Sequence, residues 1–191
     1  MILPAERLRE GDALLVVDVQ NDFCPGGALP IPGGDEVVPV VNRWIAAAHA
    51  QGRPIYLSRD WHPLHHPSFS AAGGDWPVHC VQDTPGAAFH PDLLCPPGAE
   101  VVCKGVRFDE DQLSAFHETG LARQLRRQGV RRLWVGGLAL DVCVLRTVLD
   151  ALREGFAVVV LARACRAVDA KAGRQALMEM ERAGAAVLLE D

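Results

Sequence analysis

The chain has 191 residues, of which 49% are apolar and 23% are charged, and its formal net charge is −5 at pH 7. This composition indicates a globular domain with a full-sized core. It excludes a basic nucleic-acid-binding surface, and no apolar run reaches the roughly 18–20 residues that cross a bilayer. Because the N-terminal segment has no basic start followed by an apolar stretch, we expect no signal peptide and a cytoplasmic location.

Apolar, β-branched runs alternate with segments of helical period along the whole chain. The runs predict strands at 13–19, 54–58, 100–103, 132–138, 157–162 and 185–189. The helical periods predict helices at 35–50, 121–128, 142–153 and 169–183. Most strand segments are continuously apolar, which is typical of parallel strands covered on both faces. We therefore predict one α/β domain over residues 1–191, with a mostly parallel six-stranded sheet in a three-layer α/β/α arrangement.

The segment from about residue 60 to 97 departs from this pattern, because it is rich in His, Pro, Gly and Trp and has no clear period. So long an irregular segment in a compact domain is usually functional. It contains one carboxylate and three imidazoles, a donor set that suits Zn, Fe or Mn, at Asp60, His62, His66 and His79. His65 is an alternative to His66, and a polar loop with unrelated histidines is the alternative to a metal site.

Three reactive side chains lie at or just beyond the carboxyl ends of predicted strands, where parallel sheets bind ligands: Asp18, Lys104 and Cys143. The first turn of a helix lowers the pKa of a thiol, so Cys143 is a candidate nucleophile. Lys104 is one of only two lysines among 19 cationic residues, and its charge would favour a thiolate. Asp18 could serve as acid and base. The alternatives are a structural buried cysteine, a solvated lysine and a turn-capping aspartate.

Several motifs follow one another in a fixed order: V-V-D-V-Q-N-D-F at 16–23, S-R-D-W-H-P at 58–63, W-P-V-H-C-V at 76–81, T-P-G-A at 84–87, K-G at 104–105 and G-L-A-L-D-V-C-V at 137–144. In these motifs the chain resembles the isochorismatase-like cysteine hydrolases over nearly its whole length. Within that family it is most similar to the members that hydrolyse nicotinamide.

The resemblance implies a role for each of these residues. It implies that Asp18, Lys104 and Cys143 form a catalytic triad and that the metal ligands are Asp60, His62, His66 and His79. It also implies a non-proline cis peptide at Leu138–Ala139 and an oxyanion hole made by the N–H groups of Ala139 and Cys143. The residues expected to bind the substrate ring are Phe23, Trp76 and Leu138.

The implied reaction is the hydrolysis of nicotinamide, and of pyrazinamide, to the acid and ammonia through a thioester, within pyridine-nucleotide salvage. Hydrolysis of another amide, ureido or carbamoyl substrate is the alternative within the family, and a metal-binding interaction protein is the more distant one. One divalent ion per chain is expected, zinc in the first place and iron or manganese otherwise. We expect no nucleic-acid or membrane partner, and a homo-oligomer is compatible with the sequence.

Two positions depart from the family pattern. Leu140 stands where the family commonly has Thr, and it is expected to alter the wall of the pocket near the nucleophile. Asp83 stands where Gly is usual, and it is expected to change a loop and little of the chemistry.

Overall fold

Six strands form the central sheet of the computed structural model, which describes residues 4–189. The strands are β1 (Asp12–Val17), β2 (Ile55–Asp60), β3 (Glu100–Lys104), β4 (Arg132–Leu138), β5 (Ala157–Arg166) and β6 (Ala186–Leu188). The helices are α1 (Pro4–Arg7), α2 (Val37–Ala50), α3 (Leu121–Arg127), α4 (Leu145–Arg153) and α5 (Ala170–Arg182). The strand order is β3-β2-β1-β4-β5-β6, and each neighbouring pair is parallel. The predicted six-stranded α/β fold is confirmed.

The sheet is covered on both faces, which explains the continuous apolar runs. On one face, Leu14 and Val16 of β1 pack with α2, where Trp44 stacks on Trp134 of β4 with ring centroids 4.9 Å apart. On the other face, alternate residues of β1, such as Leu15, pack with α3, α4 and α5. Alternation of side chains along each strand therefore supplies two separate cores from the same apolar run.

The element boundaries differ from the predicted ones at functionally important points. The chain leaves β1 at Val17, and Asp18 has a left-handed backbone with φ of 51°. The predicted helix 142–153 begins as a π-helical turn, Leu140–Val144, before α4. Residues 61–99, all described, contain only two short 3₁₀ turns, in agreement with the predicted irregular segment. Residues 1–3 and 190–191 of the predicted domain lie outside the described residues.

The side of the sheet on which successive strands are added changes between β1 and β4. From β1 the chain moves to β2 and β3 on one side, and from β4 it moves to β5 and β6 on the other. A crevice therefore opens at the carboxyl ends of β1 and β4, which is where open α/β sheets bind their ligands. The two strands approach closely at Gly137, where an added Cβ would collide with the backbone of Val17.

All six cysteines lie in the described part of the chain and are free. None of the helices between residues 4 and 189 combines the length and apolar character that crossing a bilayer requires.

A buried carboxylate fixes the amino end of the central strands. Asp12 is 3% exposed and accepts two hydrogen bonds from the Arg132 guanidinium, at 2.8 and 2.7 Å. It also accepts the Trp134 indole N–H at 3.0 Å and the Arg9 backbone N–H at 2.8 Å. Burial opposes ionisation of Asp12, but these donors outweigh it and hold the pKa below its ordinary value.

We expect Asp12→Ala to lower the free energy of unfolding by about 3 kcal/mol, because it leaves a buried indole N–H and a guanidinium without their acceptor. Urea unfolding followed by circular dichroism measures the change. Asp150→Ala, which removes only an exposed pair with Arg153, should cost less than about 0.5 kcal/mol. Because the pKa of Asp12 is lowered in the folded protein, its carboxylate contributes to the free energy of unfolding at pH values above its ordinary pKa of 3.8, and the contribution is lost as the pH falls below that value. If wild type and Asp12→Ala differed by the same free energy of unfolding throughout that pH range, the stabilisation would not come from the ionised carboxylate.

Candidate active site

The three residues predicted to be catalytic lie in direct contact. Lys104 is the last residue of β3, and its Nζ lies 2.7 Å from Asp18 Oδ2 and 3.4 Å from Cys143 Sγ. The Ser58 hydroxyl donates to Asp18 Oδ1 at 2.6 Å. Asp18 and Lys104 are 0% exposed and Cys143 is 5% exposed, so this is a buried cluster and not a solvated strand end.

Lys104 Nζ also lies 2.6 Å from Oδ1 of Asp60, the last residue of β2. Burial acts to lower the pKa of Lys104, but the carboxylates of Asp18 and Asp60 outweigh it, and the pKa lies well above its ordinary value. The ammonium is therefore permanent. In Asp18 the effect of burial dominates over that of Lys104 and raises the pKa, which makes its carboxylate a stronger base than a surface one.

The predicted lowering of the Cys143 pKa is wrong. Burial raises the pKa of the thiol well above its ordinary value, and the carboxylates of Asp18 and Asp60 add to the effect, while Lys104 only partly opposes it. The sequence indicates the helix terminus near Cys143 but not the burial of its sulfur. Desolvation of the buried sulfur is the larger effect, so burial favours the protonated thiol.

The predicted metal ligands form two overlapping groups of side chains. Donor atoms of Asp60, His62 and His79 lie within 4.8 Å of one another, and so do those of His62, His66 and Asp111. His62 belongs to both groups. Asp111 was not predicted from the sequence, and it lies in the second irregular segment, at 105–120, seven residues after Lys104.

These residues fit a divalent cation. His62 Nδ1 donates to the Gly105 carbonyl at 2.9 Å and His79 Nδ1 donates to the Pro77 carbonyl at 2.7 Å, so the Nε2 lone pairs of both rings are available. The Nε2 atoms of His62 and His66 are buried without a hydrogen-bond partner. Two buried carboxylates share the single ammonium of Lys104, which leaves an excess negative charge beside these nitrogens. A bound cation would satisfy both the charge and the orphaned nitrogens.

The structure distinguishes His66 from its neighbour His65. His66 is 0% exposed and its Nδ1 contacts the Ser68 hydroxyl at 2.7 Å, whereas His65 is exposed. Only His66 therefore directs a ring nitrogen toward the candidate metal site.

Two further residues, Phe69 and Gly105, hold the imidazoles in place. Phe69, 2% exposed, packs on the rings of His62, His66 and His79 at centroid distances of 5.4, 5.8 and 5.5 Å. Gly105 has a φ of 64°, and an added Cβ would collide with the His62 ring. The glycine after Lys104 is thus required for the approach of His62 to its carbonyl.

Gln20 fixes Asp60 from the other side. Its Nε2 donates to the Asp60 carbonyl at 2.8 Å, and its Oε1 accepts the Asp60 N–H at the same distance. Because both bonds are to backbone, the carboxylate of Asp60 stays free for Lys104 and for a cation.

One cavity connects Cys143 with the imidazoles of His62 and His79. Phe23 and Trp76 line it, as do Ala139 and Cys143, and the peptide bond between Leu138 and Ala139 is cis. The other lining residues are mostly apolar and include Leu29, Ile31, Leu113, Val142 and Val168. The Leu138 side chain, in contrast to the prediction, is buried in the core and does not line the cavity.

The family model for the isochorismatase domain matches residues 12–191. The chain belongs to the isochorismatase family. It is 41% identical to the nicotinamidase of Escherichia coli (strain K12) over 196 residues, covering 91% of this chain and 92% of that protein. The crystal structure of the pyrazinamidase of Pyrococcus horikoshii in complex with zinc superposes with a TM-score of 0.91 at 43% identity, covering 93% of this chain and 98% of that one. The crystal structure of PnC1 from L. infantum in complex with nicotinate superposes with a TM-score of 0.84 at 38% identity, covering 93% of this chain and 91% of that one.

Both departures from the pattern of the isochorismatase family have a local explanation. Leu140 is 7% exposed and packs in the core toward α5, so the expected change in the cavity wall does not occur through its side chain. Asp83 has a φ of 60°, a left-handed conformation that Gly adopts freely and Asp tolerates.

We expect His66→Ala to weaken binding of a divalent cation by about 100-fold, because it removes a buried nitrogen that has no other partner. The neighbouring exposed variant, His65→Ala, should bind as the wild type does. The measurement is the metal-to-protein ratio by plasma mass spectrometry after dialysis against a chelator of graded concentration. Equal metal loss in the two variants would exclude a specific role for His66.

Proposed function

We propose that this isochorismatase-family chain hydrolyses nicotinamide to nicotinate and ammonia, with Cys143 as the nucleophile and a thioester as the intermediate. The observation that carries the proposal is the buried contact of Cys143, Lys104 and Asp18 at the wall of a cavity that also holds imidazoles. The similarity to the nicotinamidase of Escherichia coli and to the nicotinate-bound L. infantum protein supports the substrate.

The apolar cavity suits a flat aromatic ring. We propose that Phe23 and Trp76 flank the pyridine ring, with the carboxamide beside Cys143 and its oxygen near the N–H groups of Ala139 and Cys143. Pyrazinamide has the same shape and should also react, which the similarity to the Pyrococcus horikoshii pyrazinamidase supports. Two oxyanion donors fixed in the backbone would be worth about 3–4 kcal/mol each in the transition state.

Acylation begins with the protonated thiol. The Asp18 carboxylate removes the proton from Cys143 as the sulfur attacks the carboxamide carbon, and the carbonyl oxygen takes up the negative charge. When the tetrahedral intermediate collapses, Asp18 returns the proton to the departing nitrogen and ammonia leaves. Lys104 remains an ammonium throughout and stabilises the negative charge, whether it is on Asp18 or on the sulfur.

Hydrolysis of the thioester reuses the same base. Asp18 takes a proton from a water molecule as its oxygen attacks the thioester carbon, and the C–S bond then breaks. The leaving sulfur of Cys143 recovers the proton from Asp18, which regenerates the thiol and releases nicotinic acid, and this acid loses its remaining proton to water to give nicotinate. General acid–base help of this kind is worth about 10²–10⁴-fold in rate.

We propose that Asp60, His62, His66 and His79 hold one divalent ion per chain, with zinc as the expected metal. Three imidazoles and a carboxylate suit zinc, and the similar Pyrococcus horikoshii pyrazinamidase was crystallised in complex with zinc. When bound, the ion would coordinate the ring nitrogen of the substrate and so orient the carboxamide toward Cys143.

Replacement of Cys143 by Ala should lower nicotinamide turnover by about 10⁴-fold or more, because no other group in the cavity can form the thioester. Cys95→Ala, which removes an exposed free thiol, is the matched control and should retain full activity. Ammonia release measures turnover, and metal content and circular dichroism check that the folded site is intact. Persistent turnover in Cys143→Ala would eliminate the covalent mechanism.

Removal of the metal should impair nicotinamide much more than benzamide, whose ring carries no nitrogen. We expect a fall in kcat/KM of about tenfold or more for nicotinamide and a smaller one for benzamide, since orientation through the ring nitrogen is available only to the first. The comparison uses protein stripped by chelation and protein reloaded with zinc. An equal fall for both amides would contradict the assigned role of the metal.

A further inference from the structure

A second carboxylate faces the imidazoles from the loop that follows β3. An oxygen of Asp111 lies within 4.8 Å of ring nitrogens of both His62 and His66, and Asp111 lines the same cavity as His62. The Nε2 atoms of these two histidines are buried and have no hydrogen-bond partner, and the residues are 1% and 0% exposed. Buried ring nitrogens left without a partner, on histidines that lie close together and beside a carboxylate, indicate a bound cation.

The loop is built so that Asp111 stays in this position. The next residue, Gln112, is 2% exposed, accepts the Val106 N–H at 3.1 Å and donates to the His117 carbonyl at 2.6 Å. Asp111 Oδ1 accepts the N–H of Gln112 at 2.8 Å. Among residues 4–189, no hydrogen-bond donor contacts the other oxygen of Asp111. A half-buried carboxylate is thus held against the site with one oxygen available.

The charge of Asp111 differs from that of Asp60 in one respect. Asp60 shares its charge with the Lys104 ammonium at 2.6 Å, whereas the described residues include no ion-pair partner for Asp111. The loop's arginine, Arg107, pairs with Asp109, Glu110 and Glu118 instead. Asp111 is therefore the carboxylate whose charge is left for a cation bound at His62 and His66.

We propose that Asp111 is a further residue of the metal site, whose carboxylate stabilises the bound divalent cation together with His62 and His66. This inference rests on the metal site described above and not on the identity of the substrate. Both modes of action, direct coordination and acceptance of a hydrogen bond from a water molecule on the ion, require the same carboxylate and predict the same loss of affinity.

The test is the affinity of metal-free protein for Zn²⁺ and for Co²⁺, each titrated in competition with a chromophoric chelator. Asp111→Asn keeps the shape of the side chain and removes its charge, and we expect it to weaken binding by about 10–100-fold. Asp109→Asn makes the same charge change two residues away, on a side chain 68% exposed, and should bind within about twofold of wild type. Binding by Asp111→Asn within that same margin would overturn the proposal.

Two further measurements separate a local contact from a general effect. A loss caused only by the changed net charge would disappear at about 0.5 M salt, where exposed charges are screened, and this outcome would also overturn the proposal. Thermal unfolding of the metal-free variants should be unchanged, and Asp111→Ser, which removes the carboxylate by a different substitution, should show the same loss of affinity. Because no substrate is present, a failure to hydrolyse nicotinamide would leave these results intact.

Discussion

One buried ammonium connects the two halves of this site. Lys104 Nζ contacts Asp18 at 2.7 Å, Asp60 at 2.6 Å and Cys143 at 3.4 Å, and its side chain is 0% exposed. A charge so far from water persists only when it is paired, and the same holds for the two carboxylates. Asp18, Cys143 and Asp60 therefore form a single electrostatic unit with Lys104, whose ammonium permits two acids to be buried side by side.

The fold supplies this unit through the carboxyl ends of adjacent parallel strands. Asp60 and Lys104 end β2 and β3, Asp18 follows β1, and Cys143 comes from the turn after β4. None of these positions depends on a long flexible loop, so the distances between the reactive atoms are set by the sheet itself. The histidines are different, because they come from the irregular residues between β2 and β3 and are held in place by Phe69 and Gly105.

Burial also determines how the proton moves. In water a carboxylate is too weak a base to take a proton from a thiol, but burial raises the pKa of Asp18 and so reduces this mismatch. The same burial raises the pKa of Cys143 and so favours its protonated form. The mechanism proposed for this chain is therefore attack by a thiol with help from a base, and not attack by a resident thiolate.

The sequence by itself determined the six strands, the main helices and the residue types at the site, because apolar periodicity and short motifs are local properties of the chain. It also indicated Asp18, Lys104 and Cys143, since all three lie at or just beyond the carboxyl ends of predicted strands. Only the tertiary structure decided between His65 and His66, placed the side chains of Leu138 and Leu140 in the core, reversed the expected pKa shift of Cys143, and brought Asp111 to the imidazoles. The physical reason is that exposure, desolvation and the direction of a side chain depend on contacts between segments far apart in the chain, such as Lys104 and Cys143, 39 positions from each other.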